Sequence, residues 1–281
     1  MPRAESPPPG QNSLPPGQNR YVEIAEHIDA LRDQGALLAG AAERAGLDTA
    51  VPPCPSWAVK DLLRHTGYIH RWAARHITEC PPNVLDGPSE AEILGGGAPD
   101  RDLIVWFLAG HAALVGTLAA ADPALECATF MDAPSPLAFW ARRQAHETAI
   151  HRADAESAVG ATPDYPAEFA VDGIDELIMG FGRRRKYQPA AGAESGRLRV
   201  VAADTGDAWS VEASEGRLQP RRESGAADDD AAGAGCTVSG PASGLYLYLW
   251  NRLDVGHADV TVTGDPALLA AWQASVRVRW S

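Results

Sequence analysis

At 281 residues the chain can bury a sizeable core, and its length suits two domains better than one. A formal net charge of -13 excludes a broad nucleic-acid footprint, which needs Lys and Arg clustered on one face. Its 45% hydrophobic and 22% charged residues are those of a globular protein, and no apolar run is expected to reach the roughly 18 to 20 residues of a membrane helix.

The start shows neither a cationic stretch leading into an apolar segment nor a cleavage site, so the cytoplasm is the expected compartment. Lys60 and Lys186 are the only lysines, and with the abundant Ala and Gly this reads as translation from a GC-rich genome. Cys54, Cys80, Cys127 and Cys236 form no C-x-x-C pair, which fits scattered thiols in a reducing compartment rather than a disulfide framework or a structural zinc site.

Residues 1–20 are rich in Pro, Gly, Ser, Gln and Asn, repeat Pro-Pro-Gly-Gln-Asn, and read as a disordered tail. From Tyr21 to Ala45, apolar Val22, Ala25, Ile28, Leu31, Leu38, Ala42 and Ala45 follow helical spacing. Ser56 is placed to cap a second helix carrying Val59, Leu62, Leu63, Ile69, Ala73 and Ile77, which Pro81-Pro82 ends. A loop from Pro81 to Pro99 follows, and Asp100 can cap a third helix built on Leu103, Trp106, Phe107, Leu114 and Leu118. Ser135 followed by Pro136 is an N-cap with a first-turn proline, and this helix should run to Gly160. Four such helices make a bundle.

After Pro163 and Pro166 one more helix is expected over Ala167–Phe181. Short β-type segments are expected at Arg197–Ala203, Ala208–Ala213, Cys236–Ser239 and Ala258–Thr263, with helices at Gly244–Leu253 and Pro266–Val276. Gly225–Gly235 reads as an acidic, Gly/Ala-rich loop. The predicted class is therefore α+β in two domains, a helical bundle over residues 21–162 and a small α+β domain over 163–281.

The fourth bundle helix holds the chemistry. His146-Glu147 and His151 look like a zincin motif, but the two histidines are five positions apart and so roughly 140° apart around the axis, too far to share a metal. Glu147 and His151 are at i and i+4, one turn apart on one face, as two ligands of one metal must be. The third ligand is sought on the second helix, where His65 shares an inward stripe with Leu62, Ile69 and Trp72; His70 points elsewhere and His76 lies far down the helix. A lone interior histidine also serves as hydrogen-bonded core, and spacing leaves both readings open.

Asp154, at i+3 from His151, is read as a solvated or salt-bridged helix residue, with a role behind the metal ligands as the alternative. Arg143 has two readings of equal weight, a fork for a substrate carboxylate or an i,i+4 ion pair with Glu147. Arg183-Arg184-Arg185-Lys186 is read as a solvated linker, and the aromatics of Gly244–Trp250 as core. No Walker loop, dinucleotide glycine fingerprint or G-x-S-x-G elbow is present.

Pro55-Ser56-Trp57 leading into Asp61–His65, then Ala145–Asp154, then Val238-Ser239-Gly240 to Arg252 with Val262–Asp265, resemble the mycothiol-dependent maleylpyruvate isomerase family over nearly everything after the tail. The resemblance implies a DinB-like metal-binding four-helix bundle followed by a sterol-carrier-like α+β domain, with the helix connections of the bundle possible as up, down, down, up. It implies a divalent metal, zinc, on His65, Glu147 and His151, mycothiol as thiol cosubstrate, and a role for Arg252 in holding a substrate or thiol carboxylate. It further implies attack of the activated thiol on a small electrophile. In an isomerase the thiol adds to a double bond, rotation follows and the thiol is expelled; in an S-transferase the sulfur stays on the product. A step in natural-product biosynthesis and a non-catalytic metal-dependent sensor are the alternatives. The expected partners are mycothiol and a small-molecule substrate, without nucleic acid or membrane.

Overall fold

A computed structural model of the chain describes residues 22–87, 89–189, 195–223 and 233–278. The expected tail, and all but the end of the acidic loop, lie outside them. The described chain has a helical N-terminal half and a C-terminal half built on a five-stranded sheet, the α+β class expected.

Four long helices form the N-terminal half: α1 (Ile24–Ala45), α2 (Val59–Glu79), α4 (Leu103–Ala120) and α5 (Pro136–Ser157). Both α1 and α2 pack against α4 and α5, so the connection from α1 to α2 crosses a diagonal of the bundle. The two sides of that diagonal meet through Leu31, Leu38, Leu62, Leu63, Phe107 and Leu114, all fully buried. Burial of such a side chain stabilises by about 1.5–3 kcal/mol before entropy is counted.

Local chemistry explains the ends. Ser135 Oγ accepts from the Ala138 N–H at 3.1 Å with Pro136 in the first turn, as expected for α5, although the helix stops at Ser157 rather than Gly160. Ser56 does not cap α2. The cap is Ala58, whose N–H donates to Asp61 Oδ2 at 2.9 Å, so the carboxylate three residues into the helix does the capping alone. The Pro81–Pro99 loop contains a short helix, α3 (Glu90–Gly95), opened by a reciprocal Ser89/Glu92 capping box.

The stretch Asp100–Ala120, a 3₁₀ turn followed by α4, contains an 18-residue window with a mean hydropathy of 1.9 and is long and apolar enough to cross a membrane, contrary to the expectation of no such run. Here it is a bundle helix, with His111 bonded to the Leu31 carbonyl at 2.9 Å.

In the C-terminal half, α6 (Ala167–Asp175) gives way to a wide turn and a 3₁₀ turn ending at Arg183, so the helix expected to reach Phe181 is shorter and irregular. The strands are β1 (Gly196–Ala202), β2 (Ala208–Ser214), β3 (Arg217–Arg222), β4 (Cys236–Gly240) and β5 (Thr261–Gly264), in the order β3-β2-β1-β4-β5. Among the described strands only β1 and β4 run parallel. The helices α7 (Ala242–Leu249) and α8 (Pro266–Ser275) lie where helices were expected.

The edge strand β3 was not anticipated, because Arg217-Leu-Gln-Pro-Arg-Arg222 is polar and holds a proline, which an edge strand tolerates. Glu215 and Gly216, both at positive φ, form the tight turn into it. One hydrophobic core runs without interruption from Trp140 and Ile150 on α5 through Ile174 and Phe181 to Val200, Val238 and Trp250. A second fills the other end of the bundle around Leu38, Leu63 and Phe107. The basic run Arg183–Lys186 lies mostly exposed in 3₁₀ turns, with Arg184 over the Phe130 ring.

Candidate metal centre

The fourth and fifth turns of α5 and the second turn of α2 meet inside the bundle. There His65 Nε2 lies 3.4 Å and His151 Nε2 3.1 Å from the same oxygen, Glu147 Oε1. All three side chains are buried. Four ligands on bonds of about 2.0–2.1 Å around a tetrahedral ion stand about 3.3 Å apart, so the two separations are those of donors sharing one ion. Two imidazoles and one carboxylate also leave positions for a further ligand.

Two of the donors, His151 and Glu147, are held from behind. His151 Nδ1 faces Asp154 Oδ2 at 2.9 Å, which fixes the ring and turns Nε2 toward Glu147. Asp154 is fully buried and takes both Nε (2.8 Å) and Nη2 (3.1 Å) of Arg252, which reaches across from the end of α7. The solvated reading of Asp154 is therefore corrected. It is an ion-paired residue that also orients a candidate ligand. On the other side, Arg143 Nη2 donates to Glu147 Oε2 at 3.1 Å, and Nη1 donates to Glu176. Of the two readings of Arg143, the structure forms the ion pair.

Charges follow from this packing. Burial opposes ionisation of Glu147, but His151, His65 and Arg143 outweigh it and hold the carboxyl well below its ordinary range. Burial likewise opposes a charge on His151, yet Glu147 and Asp154 lift it to about 9. The pocket between the donors is thus one in which positive charge is stabilised. Burial pushes Glu176 up to about 7 even with Arg143 upon it.

Trp57, in the turn before α2, closes the outer side, its ring centroid 4.9 Å from that of His65. Cys54 Sγ lies 3.9 Å from Asp154 Oδ2, and burial together with that carboxylate pushes its thiol up to about 12, so it stays protonated at neutral pH.

The structure thus brings together His65, Glu147 and His151, and links Arg252 and Arg143 to them through Asp154 and Glu147. Sequence reasoning gave Glu176 no part, since nothing in its spacing ties a residue of the wide turn to α5. The sequence marks Trp57 only as part of Pro55-Ser56-Trp57. His70 does point away, its Nε2 bonding Thr148 Oγ1 at 2.9 Å, and His76 is occupied by the Trp72 carbonyl and the Leu85 N–H. His146 takes no part in this cluster and meets Asp172 instead, at 2.8 Å.

Residues 28–156 match the family model described as the mycothiol maleylpyruvate isomerase N-terminal domain, and residues 168–271 match the MDMPI C-terminal domain. No curated protein matches the sequence. Among solved structures, the chain resembles a mycothiol-dependent maleylpyruvate isomerase at 15% identity, with a TM-score of 0.58 over 86% of this chain and 93% of that one. A histidine-to-alanine mutant of such an isomerase superposes with a TM-score of 0.59 at 16% identity and the same coverage. At these identities the likeness speaks for the fold, and the two domain models together carry the assignment: the chain belongs to the mycothiol-dependent maleylpyruvate isomerase family.

Proposed function

We propose that this protein is a mycothiol-dependent metalloenzyme in which His65, Glu147 and His151 hold a divalent ion, zinc by the donor set, beside which a thiol meets a small electrophilic substrate. The observation that supports it most is the pair of separations, 3.1 and 3.4 Å, by which two imidazole nitrogens on two helices share one buried carboxylate oxygen. A divalent ion on these donors supplies a cation that lowers the pKa of a thiol below its free value of about 8.5, which yields a thiolate at neutral pH.

The protein's own residues do the rest. Asp154 holds the Nδ1 edge of His151 so that Nε2 is the donor presented. Arg143 holds Glu147 Oε2, which leaves Oε1 for the shared position. Trp57 over His65 keeps bulk water from the donors, and a dry pocket strengthens every charge interaction within it. Arg252 gives Nε and Nη2 to Asp154 and Nη1 to the Trp250 carbonyl, and its remaining N–H groups are assigned to a carboxylate of substrate or thiol.

The name of the structural relatives supports isomerisation of maleylpyruvate; S-transfer uses the same thiolate and differs in whether the sulfur leaves. Calorimetry of mycothiol binding on the metal-loaded protein, before and after chelation, tests the reading. Binding is expected with metal and lost without it, and His65→Ala should abolish both mycothiol binding and metal retention at the His65, Glu147 and His151 cluster. Equal binding after chelation sinks the thiol-activation reading. Incubation with mycothiol and maleylpyruvate then separates the reactions: loss of the cis isomer with thiol conserved marks the isomerase, and a stable thioether marks the transferase.

A further inference from the structure

A second cluster of metal-type donors stands on the other side of α5. His27 of α1, His146 of α5 and Asp172 of α6 place their ligand atoms within 4.8 Å of one another. Both imidazoles aim Nε2 at one oxygen, Asp172 Oδ2, at 2.9 Å from His27 and 2.8 Å from His146. Neighbouring ligands on bonds of about 2.1 Å around an octahedral ion stand about 3.0 Å apart, so these two separations suit imidazoles bound next to the Asp172 oxygen on a six-coordinate ion.

Outer partners of the kind that support metal ligands are in place. Tyr246 Oη lies 3.1 Å from His146 Nδ1, so Nε2 is the nitrogen left facing Asp172. Arg142 braces the aspartate with Nε on Oδ2 at 3.0 Å and Nη2 on its carbonyl at 2.6 Å. Gly173, next to Asp172, allows the approach: a Cβ there would stand 2.3 Å from the Tyr246 ring and 2.8 Å from His146 Nδ1.

The cluster also has an open side. His27, Asp172 and Arg142 border a cavity of about 270 Å³, whose walls carry five carboxylates against the guanidiniums of Arg142 and Arg222. Such a wall attracts a cation and leaves room for exchangeable ligands, which a closed hydrogen-bond network does not need.

We infer that His27, His146 and Asp172 form a second divalent-metal site, for a six-coordinate first-row transition ion whose remaining positions open into this cavity, toward water or a small oxygen-donor ligand. Adjacent residues of α5, His146 and Glu147, then serve two separate centres on two faces of one helix. The inference does not depend on the thiol-activating role of the first cluster.

Cobalt(II) is the probe. After loading and desalting, the wild-type chain should retain two equivalents, His65→Ala one, and either His27→Gln or Asp172→Asn one. Crystals of the wild-type chain soaked in cobalt(II) chloride should show an anomalous peak between His27, His146 and Asp172, a readout that no folding defect of a variant can obscure. A peak at His65, Glu147 and His151 alone, with the stoichiometry of His27→Gln equal to that of the wild type, overturns the second site and leaves the first standing. A peak at the second cluster alone does the reverse, and no peak at either overturns both.

Discussion

Arg143 shows at the scale of one residue how a site is assembled from groups that could not be buried alone. Its side chain is fully buried between Glu147 and Glu176, and its Nε has no hydrogen-bond partner. Removing one partner of a buried ion pair leaves uncompensated charge at a cost of about 3–5 kcal/mol, whereas replacing the set by apolar groups can be neutral. Arg143→Met should therefore lower the unfolding free energy by about that amount in urea titrations, and the double variant Arg143→Met/Glu176→Leu should recover part of the loss. An additive double variant would show that the two residues are not coupled. Asp154 has a different part, because it touches His151 and Arg252 rather than the shared position. Asp154→Asn should weaken metal retention about 10- to 100-fold in competition with a chelating dye, with the stoichiometry unchanged.

The elements differ in how plainly the sequence announced them. The four long helices, α7, α8 and the strands β1, β2 and β4 follow from periodicity and from punctuation by Pro and Ser. The helix α5 was legible as a helix but not as the most buried one. A polar helix is ordinarily solvated, yet Arg143, Gln144, His146, Glu147, Thr148, His151 and Asp154 are all inside. All but Gln144, whose amide atoms have no hydrogen-bond partner, are tolerated because they pair with one another and with residues of α2, α6, the wide turn and the segment after α7, partners that no local pattern reveals. The pairing of Glu147 with His151 was legible because i,i+4 spacing survives in sequence, whereas the apolar stripe only offered His65 as a candidate and the family resemblance singled it out.

What sequence cannot give is how closely α2 approaches α4. A Cβ at Gly67, two residues after His65, would stand 2.4 Å from the Trp106 ring, and Trp106 is pinned beneath Arg71 at 3.8 Å. Gly67→Ala should lower the urea midpoint by an amount equivalent to about 1–2 kcal/mol, since overpacking exceeds the gain in helix propensity. Gly116→Ala on α4 meets nothing within 4 Å, and should instead stabilise by about 0.4–1 kcal/mol. Equal effects at the two positions would refute the close packing of α2 on α4.

Over the whole molecule, one continuous core spans the two halves, and Tyr165 is among the residues that join them directly. Its hydroxyl donates to the Ala149 carbonyl of α5, its N–H donates to Ser243 Oγ at 3.0 Å, and its ring packs edge-on against Tyr246 of α7 at 5.4 Å. Burial, the largest influence, raises the Tyr165 pKa far above its usual value near 10. The sign follows from linkage. Below pH about 10 both folded and unfolded chains keep this proton, while above it the unfolded chain releases the proton and the folded chain does not, so the stability this group contributes is lost as pH rises. Urea midpoints measured at pH 8, 9.5 and 11 should therefore fall across the last interval for the wild type. Tyr165→Phe should start lower at pH 8, because the hydroxyl's hydrogen bond to the Ala149 carbonyl is lost at about 0.5–1.5 kcal/mol, and then fall less steeply. A variant whose midpoint falls in parallel with the wild type would show that Tyr165 ionises as readily folded as unfolded, and that the seam between bundle and sheet admits water at that position.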